Sequence, residues 1–219
     1  MLTSLKKPSA ILFDWDNTLV NTWPLIHKAI NVTFQEYGLE PWSLEKVKEN
    51  AHESSREAFP KLFGERWQEA QKFFYSYVQG LSLEDLEVMP GAFSLLSFLN
   101  QKNMTAGIVS NKRSDLLKNE INHLKWSHFF QVIVGAGEAE KDKPAPDPIY
   151  LALSKIDLEA SDSIWFVGDT TVDWQAAEAS GCQPVAIGEN VQQMNVFLPY
   201  VADCHQLHSF LEDLYKVID

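Results

Sequence analysis

The sequence predicts an α/β fold: a doubly wound parallel sheet interrupted early by an inserted all-helical cap subdomain. Three observations carry this. Short, nearly unbroken apolar runs recur along the chain, as in parallel strands covered on both faces. Beyond Pro90-Gly91 these runs alternate with helical patterns. Between the first run and the second lie roughly ninety residues of helical character with no convincing strand.

The first predicted strand is Ala10–Phe13. The insert follows at once. Leu25–Tyr37 is amphipathic and stops at Gly38, Ser43 can cap a helix to about Asn50, and Ser54-x-x-Glu57 reads as a capping box. Glu65–Gln79 puts Trp67, Ala70, Phe74, Tyr77 and Val78 on one face. The expected division is an α/β core of residues 1–21 and 89–219, with residues 22–88 as the helical cap. Ligands of open α/β sheets bind beyond the carboxyl ends of the strands, so an insert placed there is expected to act as a lid.

The remaining elements follow in order. A helix spans Ala92–Gln101, then a strand Thr105–Val109 and a helix Ser114–Lys125 with apolar Leu117, Ile121 and Leu124. Gln131–Val134 is the next strand. Pro148 occupies a favoured first helical position, with Asp147 as N-cap. Ser163–Val167 precedes a helix Thr171–Ser180 that ends at Gly181, and Pro184–Ile187 and Tyr200–Ala202 complete the strands.

Composition narrows the function. A chain of 219 residues with 45% hydrophobic content suits one large domain or a core with a smaller insert. No apolar stretch is long enough to span a membrane, and Met1 to Lys7 lack the pattern of a signal peptide, so a cytoplasmic protein is expected. Cys182 and Cys204 lack metal-type spacing and read as ordinary reduced thiols. The net charge of -12 argues against a nucleic-acid partner. It also requires a local cation if the substrate is a small anion.

The chemistry is concentrated at strand ends. Asp14 and Asp16, two residues apart, project to one face of the first strand's end, a costly pairing unless a hard cation sits there. Thr18 follows them. Trp15 should point the other way, into the core. Ser110-Asn111-Lys112 follows the second strand and can donate to an anion or form a turn. Lys143 lies in a proline-stiffened loop, Lys141-Asp-Lys-Pro-Ala-Pro-Asp-Pro148, suited to fixing one positive charge. Asp169 and Asp173 follow the fourth strand. With Asp14 and Asp16 they would form a carboxylate cluster suited to Mg²⁺. His52 and the other five histidines share no spacing and are read as structural.

This ordered set resembles the haloacid dehalogenase superfamily of phosphohydrolases, with a Rossmann-like core, over Ile11 to about Gly188. Phe13-Asp-Trp-Asp-Asn-Thr-Leu looks like its first motif, Val109-Ser-Asn-Lys112 its second, Lys143-Pro144 its third and Gly168-Asp169…Asp173 its fourth. Met89-Pro-Gly91 and Lys143-Pro-Ala-Pro-Asp-Pro resemble the phosphoglycolate-phosphatase-like branch. Asn17 stands where the family usually has Gly, and Asn tolerates positive φ. Asn21 stands where an Asp is frequent.

The resemblance implies a Mg²⁺-dependent phosphatase acting on a small phosphorylated metabolite, phosphoglycolate first, through an aspartyl-phosphate. Asp14 would be the nucleophile and Asp16 the acid and base. Asp14, Asp169 and the Asp16 carbonyl would hold the metal, with Asp173 bracing it. Lys143 and Ser110 would bind Asp14 and phosphoryl oxygens, and Thr18, Asn111 and Arg56 would contact substrate. An acid at Asp16 favours phosphoryl transfer over dehalogenation. A phosphomutase of the β-phosphoglucomutase type and a non-catalytic phospho-ligand sensor are the alternatives.

Overall fold

The computed structural model describes residues 5–50, 53–81, 83–188 and 198–216. The chain divides into two compact units, Met1–Val20 with Val88–Asp219, and Asn21–Glu87.

The larger unit is built on six parallel strands: β1 (Ala10–Phe13), β4 (Thr105–Arg113), β5 (Val132–Ala136), β6 (Ile164–Gly168), β7 (Gln183–Ile187) and β8 (Tyr200–Val201). Their order is β5-β4-β1-β6-β7-β8. β1 is central, and every residue of β1 and β6 is buried, which is why both read as unbroken apolar runs. Phe13 pairs with Ile108 of β4 and with Val167 of β6, so the carboxyl ends of these three strands lie level. The chain leaves β1 for one side of the sheet and later returns to the other, making the β1 end a topological switch point.

Helices α5 (Ala92–Gln101), α6 (Ser114–His123), α7 (Asp147–Ser154), α8 (Thr171–Ser180) and α9 (Cys204–Lys216) flank the sheet. Leu12, Val109, Val134, Ile149, Leu153 and Phe166 pack in one buried cluster between sheet and helices. Cys182 and Cys204 are buried free thiols, and burial pushes Cys204 up to about 12. No helix among the described residues is long and apolar enough to cross a membrane.

The smaller unit holds α1 (Trp23–Glu36), α2 (Leu44–Asn50), α3 (Ser55–Phe63) and α4 (Trp67–Gln79), the last preceded by a 3₁₀ turn at Gly64–Arg66. Aromatic rings form its core: Phe34 lies 4.8 Å from Trp42 and 5.6 Å from Phe63, and Phe59 lies 5.4 Å from Phe74. The Asn31 side-chain amide ties the α1–α2 connection by exchanging two hydrogen bonds with the Trp42 backbone, at 2.8 and 2.7 Å.

Four expectations are corrected. The long connection contains two short strands, β2 (Val20–Asn21) and β3 (Glu87–Val88), which pair with each other. β4 continues through Ser110–Arg113 because an irregularity between Val109 and Arg113 lets it stay paired with β5. Ser54 precedes α3, but its hydroxyl is buried without a hydrogen-bond partner, so it forms no capping box with Glu57. α7 begins at Asp147 itself, with Pro146 in the capping position. Asn17 does adopt a left-handed turn, at φ 60°. His52 lies outside the described residues.

Candidate active site

The site is assembled at the level ends of β1, β4 and β6. The Asp14 N–H donates to the Val167 carbonyl at 2.9 Å, extending the strand pairing by one residue and fixing where its side chain emerges. Lys143 reaches in from the proline-rich loop, with a side chain only 2% exposed. Its ammonium donates to Asp14 Oδ1 at 2.8 Å, to the Val109 carbonyl at 2.8 Å and to Asp173 Oδ1 at 2.6 Å. All three protons of the ammonium are therefore engaged.

Asn111 fixes the loop. Its Nδ2 donates to the Lys143 carbonyl at 2.9 Å, and its Oδ1 accepts the Lys143 N–H at 3.0 Å. The structure gives this amide to the Lys143 backbone, whereas the sequence motif suggested a substrate contact. Asp173 sits in the first turn of α8, and its second oxygen accepts the Thr170 N–H at 3.0 Å and the Thr170 hydroxyl at 2.7 Å. Gly168 permits this approach: a Cβ there would lie 2.5 Å from Asp173 Cγ.

Asp14, Asp169 and Asp173 each offer a carboxylate oxygen, all within 4.8 Å of one another. Burial raises the Asp14 carboxyl to about 6; Lys143 opposes the rise, and Asp173 and Asp16 add to it. Burial, then Asp173 and Asp14, raise Asp169 well above the usual range. Lys143 is pushed down by burial, but Asp14 and Asp173 outweigh this and hold it charged. Three carboxylates thus face one ammonium in a largely buried site. Their oxygen-only donors and unbalanced negative charge fit a hard divalent cation.

The other expected residues divide. The Thr18 hydroxyl donates to Asp169 Oδ1 at 3.3 Å. Ser110 is buried, and its Oγ accepts the Lys112 N–H at 3.2 Å, which leaves the hydroxyl proton for an anion. The Asp16 side chain stands outside the three-carboxylate group and meets Lys112 Nζ at 2.6 Å. Arg56 lies on α3, in the helical unit.

Two side chains near the site escaped sequence reading. Lys112 appeared only as part of a motif, and Glu120 not at all. Lys112 Nζ also meets Glu120 Oε1 at 2.9 Å, and Glu120 Oε2 accepts the Trp15 indole N–H at 2.7 Å. The available signal was an acid beside the apolar face of α6, where Leu117 and Ile121 are buried with it.

Fold and site together define a Rossmann-like hydrolase with a carboxylate–lysine centre at the sheet's switch point. Residues 11–187 match the family model of the haloacid dehalogenase-like hydrolases, and the chain belongs to that family. It is 27% identical over 198 residues to a phosphoglycolate phosphatase of Yersinia pestis, covering 85% of this chain and 83% of that protein. It is 29% identical over 175 residues to pyrophosphatase PpaX of Listeria monocytogenes, covering 78% and 79%. A haloacid dehalogenase superfamily hydrolase from Ehrlichia chaffeensis superposes with a TM-score of 0.69 at 29% identity, covering 97% of this chain and all of that one. The protein is a hydrolase of that family.

Proposed function

We propose that this enzyme hydrolyses a small phosphorylated metabolite in a Mg²⁺-dependent reaction, with Asp14 as nucleophile. The observation that carries the reading is the buried Lys143 ammonium bridging Asp14 and Asp173 beside Asp169. Asp14, Asp169 and the Asp16 backbone carbonyl would hold the ion, with Asp173 bracing through Lys143. When bound, Mg²⁺ would neutralise phosphoryl charge and lower the repulsion between two anions.

The chain's own groups supply the rest. Asp14 Oδ attacks phosphorus, the bond from phosphorus to the leaving oxygen breaks, and Asp16 gives that oxygen a proton. Water then attacks the aspartyl-phosphate, passing a proton to Asp16 and releasing inorganic phosphate with the Asp14 carboxylate restored. Lys143 keeps Asp14 oriented, Asn111 keeps Lys143 in place, and Ser110 donates to a phosphoryl oxygen. Thr18 is assigned to substrate recognition on its place in the first motif, and Arg56 on its resemblance to a cap arginine of some relatives.

The test is phosphate release from a panel of phosphorylated metabolites, led by phosphoglycolate because of the Yersinia relative, with Mg²⁺ or EDTA. Activity should require Mg²⁺. Asp14→Asn should abolish release. Turnover indifferent to EDTA, or retained by D14N, would overturn the assignment.

A further inference from the structure

We propose that Lys112 is a positioning residue for Asp16, holding its carboxylate apart from the metal-binding group and available to the leaving oxygen. The inference rests on the phosphatase reading above and adds a residue to it.

Asp14 and Asp16 emerge two residues apart, yet their carboxylates have different partners. Asp14 is taken by Lys143 and joins Asp169 and Asp173. Asp16 is taken by Lys112, whose side chain is 8% exposed and whose Nζ lies 2.6 Å away. Two lysines thus sort two neighbouring acids. Without the second, nothing among the described contacts would keep the Asp16 side chain from turning toward the cation its neighbours attract.

A lysine alone is a poor positioning device, because its long stem has many rotamers. Here the stem is locked. Glu120 Oε1 holds the ammonium from the other side at 2.9 Å, and the Glu120 side chain is itself 3% exposed. The Trp15 indole N–H fixes the remaining oxygen at 2.7 Å. Trp15 is fully buried, edge-on to Trp126 and Phe130 at 6.0 and 6.4 Å. The contacts therefore run Asp16, Lys112, Glu120, Trp15 and close on the residue bonded to Asp16. This ring joins the turn after β1, β4 and α6 and fixes one carboxylate from both its backbone and its head.

The role separates from mere structural support by leaving-group dependence. Alkyl phosphates need a proton at the leaving oxygen, whereas p-nitrophenyl phosphate departs without one. For the full-length Lys112→Met variant, kcat/KM on an alkyl phosphate, which reports the step that expels the leaving oxygen, should fall about tenfold or more, part of the roughly 10²–10⁴-fold a placed acid–base group supplies. The loss of kcat/KM on p-nitrophenyl phosphate should be smaller, whereas any slowing of aspartyl-phosphate hydrolysis is common to both esters. In an Asp16→Asn background, K112M should add less than about twofold, because the two act as one unit. Glu120→Gln should show the same split more weakly, and serves if K112M fails to fold.

Equal losses of kcat/KM on both substrates, or full additivity with D16N, would overturn the proposal. A parent enzyme inactive on both esters would instead overturn the phosphatase reading, and this inference with it.

Discussion

Replacing Lys143 by Met keeps the apolar stem and deletes the ammonium, so the variant isolates one charge. That charge donates three hydrogen bonds of 2.6–2.8 Å from a side chain 2% exposed. Its loss leaves the buried Asp14 and Asp173 without their cation, beside Asp169. Breaking a buried ion pair by removing one partner costs roughly 3–5 kcal/mol. For a chain of this size each kcal/mol moves the melting point by about 2–4 °C, so a fall of roughly 6–20 °C is expected.

Circular-dichroism melts in EDTA would measure it. The pH dependence gives a second readout with a defined sign. The Asp14 carboxyl already lies at about 6, above its ordinary value, chiefly through burial and against the pull of Lys143. A raised carboxyl contributes stability that is present below its unfolded pKa and lost as pH rises through the folded one. Without Lys143 it rises further, so the variant's deficit should narrow as pH falls toward about 6, because Asp14 takes up its proton at a higher pH in the variant than in the parent. Melting within about 2 °C of the parent at neutral pH would refute the view that this ammonium compensates the buried acids.

Two further tests probe the surroundings. Gly168→Ala should cost about 1–3 kcal/mol and lower activity disproportionately, because the new Cβ meets Asp173, which holds Lys143; unchanged kcat would contradict this. Burial pushes Glu138 up, but the Ser114 hydroxyl, Lys155, the Gly135 N–H and Lys118 outweigh it and leave the carboxyl at about 2. That stability is present above the unfolded value and lost as pH falls through about 2, so Glu138→Gln should lower the urea midpoint near pH 7 and converge on the parent in acid; a gap independent of pH would count against the network.

What could be read from the sequence follows physical rules. β1 and β6 were legible because strands covered on both faces leave an unbroken apolar run. Asp14 and Asp169 were legible because acids at the ends of such runs conflict with burial unless they serve something, and Asp173 as an acid one turn further on, at the start of α8. β2 and β3, at two residues each, are too short to carry a period. Ser110–Arg113 is polar and reads as a turn, yet the irregular pairing with β5 keeps it in the sheet. The Lys112–Glu120 contact joins a strand to a helix face, and only the folded chain brings them together.

The full occupancy of the Lys143 ammonium bears on turnover. Every donor is already committed before a ligand arrives. On the proposed reading, a phosphoryl oxygen could meet this ammonium only by trading places with a carbonyl or a carboxylate, so binding there would be a swap and not a gain. A swap would be shallow in free energy, and would favour quick departure of the cleaved anion over self-inhibition by accumulated orthophosphate.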